Sequence, residues 1–424
     1  HVHNLKTGLG DDLNYEYHPS FKEQGPDAGG SSIGKAFFMG YDRGRGGAGI
    51  RNELWIIPTV GCVNSVAREI AAGCQTLVRE NIEAVAAFSH PYGCSQMGDD
   101  QENTRIALAD LIHHPNAGGV LVLGLGCENS NIGVIKEYIG AYDASRVRFL
   151  QCQDCEDEIE EGIRVMKELA AYAAESHRTK IGTDQLIIGL KCGGSDGLSG
   201  ITANPVVGRF SDLLTQAGGS TVLTEVPEMF GAETILMDRA ADRAVFDKTV
   251  QLIHDFKEYF RSYNQTIYEN PSPGNKEGGI STLEDKALGC TQKSGDAKIV
   301  DVLKYGQRVS RPGLNLLSAP GNDLVASTAL ALCGAQIVLF TTGRGTPFAC
   351  PVPTVKISSN TRLAEKKKNW IDFDCGRLLD EGMSLDILGN ELYEYVLTVA
   401  NGAFVKSEAE GYRDLAILKQ GVTL

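Results

Sequence analysis

Apolar residues fall in short runs separated by amphipathic stretches along most of the chain. From residue 51 the runs at 54–60, 84–89, 118–125 and 147–151 have strand length, and the segments 63–80, 101–114, 129–139 and 155–175 carry a helical period. Uninterrupted alternation of strand and helix predicts parallel βαβ units, because parallel neighbours need a crossover that a helix supplies. A polar break follows at His177-Arg178-Thr179-Lys180. The rhythm restarts at Leu186-Ile187-Ile188-Gly189-Leu190, with further strands expected at 220–226, 314–318, 336–341 and 354–358. The pattern predicts an α/β protein of two Rossmann-like parallel-sheet domains, residues 35–180 and 181–424. Residues 1–34, polar and rich in Gly, Asp and Pro, read as an extended N-terminal arm. Residues 264–295, rich in Gly, Pro and Asn, read as a long structureless loop of functional or disordered character.

Ala36-Phe37-Phe38-Met39 reads as a strand entering the loop Gly44-Arg45-Gly46-Gly47-Ala48-Gly49, which formally matches GxGxxG. Dinucleotide binding needs a helix to open directly after those glycines, so that its N-terminus meets the pyrophosphate. A strand, Leu54-Trp55-Ile56-Ile57, follows instead. The loop is therefore read as a hairpin or crossover turn, and a nicotinamide oxidoreductase is disfavoured.

Composition narrows the classes. The 424 residues are 42% hydrophobic and 22% charged, an ordinary globular balance for two or three domains. No run approaches the ~18 apolar residues of a membrane span, and the start, His1-Val2-His3-Asn4, does not resemble a signal peptide. A net charge of −14 argues against nucleic acid, which needs a basic footprint. A small anionic substrate needs only a few local cations. Eleven scattered cysteines suggest reduced thiols and a cytoplasmic setting. A homo-oligomer is compatible with all of this.

The cysteines carry the chemistry. Cys62, Cys94 and Cys127 each follow a strand of the first half beside a glycine, and Cys192 ends the first strand of the second half in Cys192-Gly193-Gly194-Ser195-Asp196-Gly197. The carboxyl edge of a parallel sheet is where ligands bind. A single cysteine is more often a small buried hydrophobe, but four in register beside glycine favour metal binding. Thiolates near His90, Glu128 and Glu225 suit iron or zinc. Cys152-Gln153-Asp154-Cys155 is a poorer candidate, because the Glu156-Asp157-Glu158 field that follows works against thiolate formation. Glu225 lies in an apolar run, unlike the usual solvated acid. Arg344, flanked by Gly343 and Gly345, is suited to clamping a carboxylate. Lys276, Lys293 and Lys356 sit in or near loops and could supply charge or a proton-transferring amine, although most exposed lysines do neither.

These stretches resemble the altronate/galactarate dehydratase family. The resemblance is carried by Gly49-Ile50-Arg51-Asn52-Glu53-Leu54-Trp55, Thr59-Val60-Gly61-Cys62-Val63-Asn64, Tyr92-Gly93-Cys94-Ser95-Gln96, Gly124-Leu125-Gly126-Cys127-Glu128-Asn129 and Cys192 to Pro205. It continues through Tyr268 to Asn275, Leu288-Gly289-Cys290-Thr291-Gln292-Lys293 and Leu317-Ser318-Ala319-Pro320-Gly321-Asn322-Asp323. Coverage is nearly end to end, and Glu225 to Glu233 is similar to the altronate branch. The resemblance implies a hydro-lyase that converts D-altronate to 2-dehydro-3-deoxy-D-gluconate in hexuronate breakdown. It implies dependence on Fe2+, sometimes replaceable by Mn2+. A single ferrous ion among mixed ligands is the favoured arrangement, with an iron–sulfur cluster on three thiolates, as in other hydro-lyases, the alternative. On this reading residues 181–424 are the catalytic domain. Cys94, Cys127, Cys192 and Glu128 hold the metal, and Lys293, His90 and Glu225 serve catalysis, with Lys293 the expected base. Arg344 and Lys356, with Ser195, Asp196 and Asn204, bind substrate. Family members usually begin with a small SAF-like domain. The opening residues read as its end, with His3 a candidate contributor to the site. Galactarate or sulfolactate as substrate, and a sugar-acid binding module without turnover, are the alternatives.

Overall fold

The structure, a computed structural model, describes residues 36–79, 81–267 and 270–421; the expected arm 1–34 and His3 lie outside them. Strand β1 (Phe37–Asp42) turns through Gly44–Gly46 into β2 (Ala48–Gly49), so the GxGxxG loop is a hairpin turn with no helix behind it. Strands β3 (Glu53–Pro58), β4 (Val85–Ala87), β5 (Ala117–Gly124) and β6 (Val147–Gln151) form an all-parallel sheet in the order β4-β3-β5-β6. β3 and β5 are buried at every position, as expected of parallel strands covered on both faces. Period-two alternation sends Leu54, Ile56, Leu121 and Leu123 to one face, against helices α1 (Asn64–Gly73) and α4 (Glu158–Ala174). Trp55, Ile57, Val120 and Val122 pack on the other face with α2 (Gly98–Ile112) and α3 (Ile132–Ile139). Asn131 and Asp157 start α3 and α4 by accepting hydrogen bonds from free first-turn amides.

The polar break expected at 177–180 is in part a strand. β7 (Thr179–Gly182) returns antiparallel to β1. Its exposed side chains hid it from a hydrophobic reading. The second sheet is parallel throughout and joins β8 (Ile187–Cys192), β9 (Ser220–Leu223), β10 (Ile299–Leu303), β11 (Gly313–Leu317), β12 (Ile337–Thr342), β13 (Thr354–Ser358) and β14 (Phe373–Asp374). Their order is β10-β11-β9-β8-β12-β13-β14. Helices α5 (Ala203–Gln216), α6 (Glu233–Met237) and α7 (Arg243–Ser262) follow β8 and β9.

The expectation of a structureless 264–295 is overturned. The segment contains α8 (Pro273–Glu277) and α9 (Leu283–Thr291), started by the side chains of Ser272 and Thr282. Its glycines and prolines punctuate short helices, and α9 turns Lys286, Ala287 and Cys290 into the interior. α10 (Asp323–Leu332), capped by Asn322, then follows β11.

Candidate functional site

β8 is the middle strand of the second sheet, with β9 on one side and β12 on the other. The chain leaves β8 toward β9 and returns later to β12, so the crevice at their carboxyl ends is a topological switch point. Cys192 ends β8, and Glu225 stands two residues past β9. Gly193 must be glycine, because a Cβ there would meet Phe340 at 2.5 Å and the Asp323 carboxylate at 2.6 Å.

Beneath this edge lies a buried ionic cluster. Cys192 Sγ lies 3.5 Å from Cys290 Sγ and 3.1 Å from the Glu228 carboxylate, which Cys290 Sγ meets at 2.9 Å. Among the described residues, this is the group of Cys, His and acidic side chains whose ligand atoms all converge within 4.8 Å. Three buried lysines surround it. Lys191 Nζ donates to Glu225, to Asp323 at 3.0 Å and to the Cys192 carbonyl at 2.7 Å. Lys293 Nζ donates to Glu225 at 3.0 Å, and Lys286 Nζ to Ser195 Oγ at 3.0 Å, 3.4 Å from Glu228. Glu225 adopts a left-handed backbone, φ 67°, unusual for a residue with a side chain. There its carboxylate also accepts from the Cys192 amide at 3.0 Å. Strain of this kind persists where the surroundings hold it, often at working sites.

The electrostatics follow from the packing. Cys192 is held well below the ordinary thiol range by the Cys290 thiol pointing at it, which outweighs burial, and by the three lysines. Cys290 is pushed well up by the same contact and by burial. Glu228 is pushed up to about 8 by burial, then by the charges of Cys192 and Glu225. Burial would deprotonate Lys286 and Lys293, but the thiolates and carboxylates around them win and hold both as ammonium ions. Three lysines raised toward the ammonium form thus surround Glu225 and the acidified Cys192 thiol, while Glu228 and Cys290 are pushed toward their protonated forms.

That balance is the test of whether a metal fits. Loss of protons from Glu228 and Cys290 would add two negative charges to converging sulfur and oxygen donors. One divalent ion offsets both, and a thiolate-rich donor set suits a thiophilic one. Uptake of such an ion near pH 7 is therefore expected to release about two protons, measurable as acidification in weak buffer. Cys290→Ser should weaken metal retention at least about tenfold, read by metal analysis after anaerobic gel filtration. Retention equal to wild type would remove Cys290 from the ligand set.

Two cavities flank the cluster. One of about 230 Å³ is lined by Ser195, Asp196, Asn204, Lys286 and Cys290 and reaches the cluster from outside. A larger one of about 780 Å³ shares Asp196 with it and presents Arg344, Arg362, Lys366, Ser359 and Asn360. Asp196 accepts from Ser359 Oγ at 2.8 Å and Asn360 Nδ2 at 3.1 Å, tying the loop after β8 to the loop after β13. Arg344 stands half exposed on the rim, bonded to the Gly274 carbonyl at 2.8 Å and Glu277 at 2.9 Å.

The structure brings Cys192, Glu225, Lys293, Ser195, Asp196 and Asn204 to this edge and leaves other expected residues elsewhere. Cys94, Cys127 and Glu128 belong to loops of the first sheet and do not join Cys192. Glu128 closes its own loop, accepting from Thr59 Oγ1 at 2.5 Å and the Gly126 amide at 2.6 Å. His90 Nε2 faces the Pro58 carbonyl at 2.8 Å, while Nδ1 takes the Tyr92 amide at 3.2 Å. Both nitrogens serve the backbone, and burial holds the ring below its usual pKa. Lys356 points at the carbonyls of Phe348 and Thr346 and lines neither cavity. Burial lowers it to about 8. Asn204 bridges the Gly289 carbonyl at 3.0 Å and Thr341 Oγ1 at 2.7 Å. Lys293, the expected base, pairs with Glu225 at 3.0 Å, and although burial acts to lower it, the neighbouring Cys192 and Glu225 charges raise it well above the ordinary lysine range. Lys191, Lys286, Glu228 and Cys290 complete the cluster. Sequence reasoning passed over Lys191, although a lysine inside the buried run Leu190-Lys191-Cys192 was a usable signal.

Comparison with known proteins identifies the family. Residues 183–423 match the D-galactarate/altronate dehydratase C-terminal domain. Residues 40–174 match the second domain of D-galactarate dehydratase/altronate hydrolase. The whole chain is 55% identical to the altronate dehydratase of Bacillus subtilis (strain 168) and 53% identical to that of Escherichia coli (strain K12), covering 85% of each. It is 33% identical over 380 residues to the galactarate dehydratase (L-threo-forming) of Escherichia coli (strain K12), aligning 86% of this chain with 73% of that enzyme. With two family domains matched along most of its length and full-length relatives above half identity, this chain belongs to the D-galactarate/altronate dehydratase family.

Proposed function

We propose that this protein is a hydro-lyase that dehydrates D-altronate to 2-dehydro-3-deoxy-D-gluconate. The observation that carries the substrate is identity of 55% and 53% to two altronate dehydratases across the entire chain, against 33% to a galactarate dehydratase over part of it. Cys192, Glu228 and Cys290 would hold a divalent ion, ferrous iron in our reading, with manganese as substitute. Bound there, the ion supplies Lewis-acid stabilisation of negative charge developing on the substrate.

The reaction removes hydrogen from C2 and hydroxide from C3 as water, and the enol left behind becomes the 2-keto acid. One proton must therefore leave carbon and another must reach oxygen. The Lys293–Glu225 pair and Lys286 form a network that can hold and move such protons. Lys286, which lines the smaller cavity, would protonate a departing hydroxyl on this reading. Glu225, paired with Lys191 and Lys293, is the carboxylate through which a proton taken from C2 is relayed. Arg344 on the rim, with Arg362 and Lys366, gives the substrate carboxylate its cationic partners.

An anaerobic, iron-supplemented assay of 2-keto-acid formation from D-altronate, galactarate and sulfolactate tests the assignment. Preferred turnover of altronate supports it, and preferred turnover of either other acid overturns it. Arg344→Ala is expected to raise KM for the preferred acid about 10-fold or more with kcat little changed, since a charged hydrogen bond is worth ~1.5–3 kcal/mol. An unchanged KM would take Arg344 out of substrate binding.

A further inference from the structure

A second group of thiols lies outside the cluster just described. Cys62, Cys94 and Cys127 are free, exposed, and carried on the loops that leave β3, β4 and β5. Those strands are immediate neighbours in the order β4-β3-β5, so their carboxyl ends stand side by side at the usual strand spacing of ~4.8 Å. The loops are bonded to one another. The Gly61 amide donates to the Tyr92 carbonyl at 2.9 Å, and the Ser130 amide to the Gly93 carbonyl at 3.0 Å. The Ser95 amide donates to Asn129 Oδ1 at 3.0 Å. Each cysteine's immediate chain neighbour, or one two or three residues away, is therefore fixed against a neighbouring thiol loop. Gly93 permits this approach, because a Cβ there would meet the Thr59 carbonyl oxygen at 2.0 Å.

We propose that Cys62, Cys94 and Cys127 form a second metal site, a three-thiolate seat for an iron–sulfur cluster with one iron left without a protein ligand. Three features of the group support this. The donor set is all sulfur, the soft set that selects such clusters, because the nearest harder candidates, Glu128 and His90, are committed to their own loops. Polar groups already face two of the sulfurs, Ser95 Oγ at 3.9 Å from Cys94 Sγ and Gln153 Nε2 at 3.8 Å from Cys127 Sγ. Hydrogen bonds of that kind tune cluster sulfurs. Helices α1, α2 and α3 all begin just past these cysteines, and their N-terminal ends favour the net negative charge of a thiolate-bound cluster.

The site is independent of the substrate reading, and its test does not use activity. The full chain is reconstituted anaerobically with ferric iron, a thiol reductant and sulfide, desalted, and examined by absorbance and by iron and sulfide analysis. A broad band near ~400 nm with about four iron and four sulfide per chain is expected. It should be lost in Cys94→Ser and Cys127→Ser, and retained in Cys192→Ser and Cys290→Ser. Thermal melts check that each variant is folded; Cys94 and Cys127 are exposed, whereas Cys192 and Cys290 are buried, and only variants that melt like wild type are scored. Absence of the band in the wild type overturns the proposal. So does a band that survives loss of Cys94 and Cys127 or disappears with Cys192 and Cys290, and so does binding of iron without sulfide at these thiols.

Discussion

Lys293→Met is expected to lower kcat on the preferred sugar acid by about 10²–10⁴-fold, the range over which a positioned proton-transfer group acts, while the protein remains folded. The fold should survive because Glu225 keeps Lys191 and the Cys192 amide as partners when Lys293 is gone. The chemistry should not, because Lys293 is one of the two buried lysines paired with Glu225. KM should move little, since Lys293 lines neither cavity. The pH profile adds a readout that loss of packing alone would not give. Glu225 is already raised by burial and by Cys192, and Lys191 and Lys293 pull it back down. Without Lys293 it must rise further, so the acid limb of kcat should shift to higher pH. Steady-state kinetics from pH 5 to about 9 measure both effects. A kcat within about threefold of wild type, with an unmoved acid limb, would exclude Lys293 from proton transfer.

The strands were legible because parallel sheets covered on both faces require contiguous apolar runs, as in Leu54-Trp55-Ile56-Ile57 and Leu121-Val122-Leu123. β7 was not legible, being an exposed antiparallel strand with no apolar signature. α9 was obscured by surrounding glycine and proline. At the site, Cys192 and Glu225 were accessible to reasoning because each closes a buried strand at the ligand-binding edge. Their partners were harder to find. Cys290 and Lys286 come from a helix more than ninety residues further on. The thiols of 94, 127 and 192 occupy equivalent positions after their strands, and equivalence was mistaken for proximity. Topological place says which edge a residue occupies. Which sheet that edge belongs to depends on pairing, and an apolar run does not encode its neighbour.

The motif Arg51-Asn52-Glu53, part of the resemblance, proves to join the two sheets' surroundings instead of serving chemistry. Arg51 is fully buried. Its guanidinium makes a fork on Glu408 at 2.8 and 2.9 Å and donates to the carbonyls of Val399 at 2.9 Å, Ala403 at 2.8 Å and Ile50 at 3.0 Å. Beside it Glu53, also buried, pairs with Arg413 and accepts from Trp55 Nε1 at 2.7 Å. Two residues of β3's approach thus hold the 399–413 segment through two reciprocal ion pairs. Arg51→Ala would leave the Glu408 carboxylate with the Val405 amide at 3.0 Å and Arg413 at 3.9 Å, and would take a donor from the carbonyls of Val399 and Ala403. Breaking one partner of a buried pair typically costs ~3–5 kcal/mol, and that loss is expected in denaturant unfolding of the variant. Arg51→Lys keeps the charge but not the planar fork, so it should fall between the two. Asn52 offers a contrast, because its amide donates to Asn81 and Ala173 within the first unit. Asn52→Ala should destabilise through local backbone contacts and leave the 399–413 segment protected in hydrogen exchange. Arg51→Ala should expose that segment specifically. If Arg51→Ala costs less than about 1 kcal/mol, or leaves the amides of 399–413 as protected as before, the clamp is a packing coincidence and the motif's place in the family needs another physical cause.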